Sequence, residues 1–139
     1  MTTVRKVARV HRRDATQHLG KAISFIEAAE AELEAGRADA AALCAIHAAI
    51  AAADSVTVAL AGQRSTDPDH QRAVTLLRSV ASASVEIGQK ADQLLALLRQ
   101  KNEVEYEARR ARVSEARRAV THARRLVDWA KTQVSAAGL

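Results

Sequence analysis

The stretch LLRQKNEVEYEARR, residues 97–110, sets an arginine, an asparagine and the chain's one tyrosine at Arg99, Asn102 and Tyr106. On a helix that advances about 100° per residue, Leu95, Arg99, Asn102 and Tyr106 share an arc of roughly 60°. That face begins apolar and turns polar toward its C-terminal end. A guanidinium, a carboxamide and a phenol on one strip have the chemistry to hold a phosphate and a base. The plainer alternative is a solvated Arg99 and a Tyr106 that covers the helix end. A second strip, formed by His47, Ile50, Asp54 and Val58, puts an imidazole and a carboxylate on an otherwise apolar face. A buried carboxylate must meet a cation, a donor or water. Arg99 is the natural candidate, and an Asp54–Arg99 pair would either lock two helices together or serve a site.

Other chemistry is excluded by motif. The five glycines are scattered, so neither a dinucleotide fingerprint nor a phosphate-binding loop can be built. No histidine has a glutamate three positions before it, as a di-iron bundle would want, and Asp67 before His70 is the nearest approach. Zinc spacing of Cys and His is missing as well, so no metal and no cofactor is implied. Cys44 is the single cysteine, which rules out an intramolecular disulfide and reads as a small core residue. The formal charge of +5 favours an anionic partner such as RNA, DNA or an acidic protein. Arg110, Arg117, Arg124 and Lys131 recur every seven residues with Arg118 and Arg125 beside them. From that stripe Arg117, Arg124 and Lys131 are the expected nucleic-acid contacts, against the alternative of a solvated basic face.

The elements that must position these groups are helices. Apolar residues make up 48% but aromatics only 2%, so alanine carries the core and close helix–helix approach is required. Residues 1–13 form a basic arm, mobile or extending the first helix, ahead of one bundle domain over residues 14–139. Asp14 can cap a first helix that runs to about Ala35, with Gly36 after its end. Leu19, Ile23, Ile26, Ala29 (or Glu30) and Leu33 form its apolar stripe. A second helix from about Asp39 to just before Gly62 is apolar on nearly all sides and should be the most enclosed element. Its length and low charge raise the question of a membrane span. His47 and Asp54 argue for a buried central helix instead, with no membrane. Asp67 and Pro68 predict the start of a third helix that ends near Ser82. A fourth runs from about Ser84 to Glu107, and the last from Ser114 to about Ala136. The expected fold is an all-α, up-and-down antiparallel bundle of about five helices. No signal peptide is visible, which reads as a cytoplasmic protein.

The segments AALCAIHAAIAAADSVTVALAGQRS, DHQRAVTLL, LLRQKNEVEYEARR and SEARRAVTHARRLVDWA resemble the HEPN superfamily, in that family's order, over residues 17 to 135. The resemblance implies an up-and-down bundle, commonly dimeric. It also implies metal-independent ribonucleases, toxins or anti-phage effectors, and partners of minimal nucleotidyltransferases. Active members carry an arginine, four to six residues, then a histidine. Here the arginine is Arg99 and the polar residue after it Asn102, while Val104 or Tyr106 stands where the histidine belongs. The same loose pattern also fits Arg5 with His11, Arg13 with His18, Arg64 with His70 and Arg117 with His122, so it selects nothing by itself.

Cleavage of RNA by its 2′-hydroxyl needs a base and an acid, and histidine suits both. A phenol, with an ordinary pKa near 10, is a poor base at neutral pH. The sequence therefore points to a dimeric RNA- or nucleotide-binding protein, at most a degenerate ribonuclease, linked to toxin–antitoxin or phage defence. The site expected is Arg99, Asn102 and Tyr106 with Asp54 and His47 in one cleft. The alternative is a non-catalytic interaction module that pairs with a nucleotidyltransferase.

Overall fold

A computed structural model describes residues 6–81 and 83–139, with Glu105 placed in its backbone alone. The first five residues of the expected arm lie outside the described residues. Among those residues the chain is an all-α bundle with one two-stranded ribbon. Helix α1 spans Ala15–Glu34, α2 Ala38–Ala61, α3 Gln71–Val80, α4 Val85–Tyr106 and α5 Val113–Ala136. The ribbon pairs β1, Val7–Arg9, with β2, Gln63–Ser65, in antiparallel register with Ala8 opposite Arg64.

Helix α2 is the axis on which the others pack, with α1 and α5 on one side and α3 and α4 on the other. Residues on every side of α2 are buried, because its alanines let neighbouring backbones approach closely. It has the length and apolarity of a membrane span, yet 72% of its most apolar window is buried inside the fold. A core helix passes the same test for that reason.

Both predicted glycine ends are present. Gly36 and Gly62 take φ of +80° and +61°, the left-handed region that costs glycine least. Gly62 donates to the Val58 carbonyl at 2.9 Å and accepts from the Val10 N–H at 2.9 Å. The described part of the N-terminal arm is thus a short strand and a 3-10 turn laid against the end of α2. Arg12 fastens it further, with Nε donating to the Ala59 carbonyl at 2.7 Å and Nη2 to the Ala137 carbonyl at 3.3 Å. The carbonyls left over at the end of α2 find their donor there.

Three helix starts differ from the sequence reading. Asp14 ends a short 3-10 turn, Arg12–Asp14, and makes no side-chain cap on α1. Pro68 does not open α3. Asp67 Oδ1 accepts from the Asp69 N–H at 2.9 Å and Asp69 Oδ1 from the Gln71 N–H at 3.0 Å, so two successive aspartate turns delay the helix to Gln71. At α5 the first turn is closed by Glu115, whose Oε1 accepts from the Arg112 N–H at 2.9 Å, and Ser114 lies inside the helix. Ser84 does cap α4, accepting from the Ile87 N–H at 3.2 Å.

The loop from α4 to α5 is moored far away in sequence. Asp39, in the first turn of α2, accepts from Arg110 Nε at 2.9 Å and from the Ala111 N–H at 2.6 Å. Elsewhere α4 and α5 meet only over a short stretch, which leaves a groove between them.

Candidate functional site

Arg99 faces α5 across that groove, which encloses about 370 Å³. Gln93, Ala96, Leu97 and Gln100 line it from α4, and Arg118 and His122 from α5. Among the described residues no carboxylate is paired with Arg99 or Arg118. Two carboxylates, Glu103 and Glu115, stand at the loop end of the groove. Both are drawn to Arg109, which approaches Glu103 at 3.6 Å and grips Glu115 with two hydrogen bonds of 2.9 and 3.0 Å. That grip, with the Arg112 N–H, holds the Glu115 carboxyl down to about 2. The acids at the rim are therefore neutralised locally and the two free guanidiniums set the sign of the groove.

His122 also borders a shallower hollow of about 620 Å³ on the outer face of α5, together with Arg117, Arg118 and Arg125. This is the part of the heptad stripe that faces outward. Arg124 does not belong to it, since its guanidinium bonds Glu30 on α1 and reaches Asp128 at 3.6 Å. Arg124 joins helices instead of offering charge. Lys131 is exposed but lines neither hollow.

The cleft expected from the sequence divides into separate places. Asn102 and Tyr106 turn from Arg99 toward the start of α3, where with Lys101, Pro68 and His70 they line a hollow of about 210 Å³. Tyr106 is 78% exposed there. His47 stacks against Phe25 of α1 at 5.6 Å between ring centroids, with planes tilted by 32°. It is a packing histidine. Asp54 does need a cation, but Arg64 of β2 supplies it, with Nε at 3.4 Å from Oδ2, and Arg99 takes no part. Burial at 8% exposure pushes the Asp54 carboxyl up to about 6, against the attraction of Arg64. A small hollow of about 120 Å³ lies over this pair and is also bordered by His70.

Gln93, Arg118 and His122 escaped the sequence reading as partners of Arg99. Their joint signal was the polar edge on α4 and α5, but nothing in one helix's periodicity tells which edge of another it faces. Among the described residues no three His, Cys, Asp or Glu side chains converge to hold a metal ion.

Within this frame the comparison with known families is specific. The model described as HEPN domain matches residues 15–133, spanning all five helices. No curated protein and no solved structure matches the chain significantly. With the match covering so much of the bundle, the chain belongs to the HEPN domain family.

Proposed function

We propose that this HEPN bundle binds RNA or a nucleotide through the α4–α5 groove, with weak or no metal-independent cleavage. The observation that carries the reading is the placement of Arg99, at the family's arginine position, beside Arg118 and His122 in one groove whose carboxylates are already engaged. Guanidiniums suit phosphate because their donors are planar, fixed and permanently charged. The adjoining Arg117 and Arg125 extend the basic surface for a strand longer than one nucleotide.

Cleavage would ask for two proton-transfer groups at the 2′-hydroxyl and the leaving oxygen. The groove offers one imidazole, His122, and its carboxylates are tied to Arg109. Tyr106 and Asn102 open into a different hollow. Binding is therefore the better-supported activity, within a toxin–antitoxin or phage-defence setting.

A homodimer completes the proposal. An alanine core buries little area per residue, and Val85 at 76% and Val113 at 48% exposure are apolar side chains left for a partner to cover. Light scattering at micromolar concentration should give twice the chain mass.

The direct experiment is retention of labelled single-stranded RNA across a salt series. Affinity should fall steeply as salt rises, and Arg99→Ala or Arg118→Glu should weaken it whatever the sequence. Absence of retention at low salt would replace this reading with the protein-interaction one, including pairing with a nucleotidyltransferase.

A further inference from the structure

Each guanidinium of the groove has a carboxylate on its own helix at pairing distance. Glu103 follows Arg99 by four residues on α4, and Glu115 precedes Arg118 by three on α5. At those spacings opposite charges on one helix normally meet. Among the described residues neither pair forms. Both acids are taken by Arg109, which also reaches Glu107 at 3.5 Å. An exposed arginine in a loop holds no partner firmly unless the backbone around it is fixed.

Two carboxylates fix it by sharing the four successive residues from Arg109 to Arg112. Glu115 accepts from the Arg109 guanidinium and from the Arg112 N–H, and Asp39 from Arg110 Nε and from the Ala111 N–H. Each acid thus takes one side chain and one backbone donor, and the two alternate along the loop. Glu115 is itself the group being withdrawn from the groove. Asp39 stands outside the groove, in the first turn of α2, and is the fixed point from which Arg109 is aimed. The Ala111 N–H, and after it Arg110, hold the Asp39 carboxyl below the usual carboxylate range, so it is charged at neutral pH.

We infer that Asp39 is a positioning residue for the groove: it fixes the α4–α5 loop so that Arg109 draws Glu103 and Glu115 away from Arg99 and Arg118. Without that hold the two acids fall back on the guanidiniums of their own helices, and the groove neutralises its own charge. This inference rests on the anion-binding reading of the groove and adds to it the device that keeps its cations available.

The test follows a fluorescein-labelled uridylate decamer by anisotropy at low salt on the full chain. Asp39→Ala removes a negative charge, so net charge alone predicts tighter RNA binding. Loss of the hold predicts the opposite sign, binding about three- to tenfold weaker than wild type. The same substitution made beside Glu103→Gln and Glu115→Gln should change affinity less than about twofold, because no acid then remains to occupy Arg99 or Arg118. A glutamine at 115 still closes the first turn of α5. Thermal melts of the four proteins accompany the titrations, which are run well below the lowest transition. Where Asp39→Ala does not melt cooperatively, Asp39→Asn takes its place in both backgrounds with the same expected signs. Equal or tighter binding by the Asp39 variant in the native background would overturn the inference. So would a loss that persists undiminished once both glutamates are neutral, the mark of a merely structural Asp39. Failure of the wild type to bind the decamer would remove the anion-binding reading beneath it.

Discussion

Arg109 closes on Glu115 through two parallel hydrogen bonds, Nη1 to Oε1 at 2.9 Å and Nη2 to Oε2 at 3.0 Å. The pair joins the α4–α5 loop to the first turn of α5 and withdraws a carboxylate from the groove. Arg109→Ala should therefore weaken RNA retention about three- to tenfold, because Glu103 and Glu115 then repel phosphate. Adding Glu103→Gln and Glu115→Gln to that variant should restore retention, which a purely structural role would not allow. The pH dependence has a definite sign. The Glu115 carboxyl sits at about 2 in the fold against an ordinary 4.5, so its contribution is present above 4.5 and is lost as pH falls toward 2. Acid titrations of wild type and Glu115→Gln should differ above that window and converge below it.

Arg99→Ala should separate binding from folding. Asp54 keeps its partner in Arg64, so no buried charge is stranded by the change. Stability should stay within about 0.5 kcal/mol of wild type, as for most exposed sites. A thermal melt beside the RNA titration checks both halves.

Asp54 titrates in the opposite sense to most carboxylates. Its folded value of about 6 lies above the ordinary 3.8, so its contribution is fully present below 3.8 and is lost as pH rises through 6. Asp54→Asn should stabilise the protein at pH 8 by about 1–3 kcal/mol and leave it near wild type below pH 4. Denaturant unfolding at the two pH values measures this. Arg64, whose side chain is 41% exposed, can turn to water in the variant.

Gly62→Ala should cost about 1–3 kcal/mol. The added methyl would meet the Val10 carbonyl at 3.0 Å, and the backbone there is held at φ +61°. Hydrogen exchange at the amide of Val10, which bonds the Gly62 carbonyl, should speed up well before the core amides do.

Reversing charge at Arg117 and at Arg124 should give different losses. Arg117→Glu should weaken RNA retention with little change in melting, since that side chain only lines the outer hollow. Arg124→Glu should lower stability by about 1 kcal/mol or more, because it turns the contact with Glu30 from attraction to repulsion. Melting curves and salt-dependent binding of both variants separate the two roles.

Much of the helix plan can be read directly from residue types. Gly36 and Gly62 stop α1 and α2 because the left-handed turn is open to glycine, and the alanine-rich, nearly uncharged sequence of α2 leaves no polar face. The ribbon could not be read, since three-residue strands carry no alternation long enough to register. The delayed start of α3 turned on Asp67 and Asp69 bonding the chain ahead of them, a competition that Pro68 alone does not reveal. At the candidate site, periodicity assigned Arg99, Asn102 and Tyr106 to one arc but not to one neighbour. Two faces of the same stretch of α4 meet different neighbours, and Arg99 falls on the side toward α5 while Asn102 and Tyr106 fall on the side toward the start of α3. The partner of Asp54 was misread for the same reason: the need for a cation is local, but the nearest one came from a ribbon.

The alanines that fill the centre of α2 give this fold an unusual mutational grain. Ala41, Ala45, Ala48, Ala49 and Ala52 are buried at 0–1% exposure, and truncation there can remove no more than a methyl. Conventional alanine scanning would be silent along the very helix on which everything packs. Enlargement is the informative direction, because each added methylene must wedge two backbones apart. A scan with serine, valine and leucine along α2 would trace the helix contacts one layer at a time, and the tolerance of each site would report the spacing of the backbones around it.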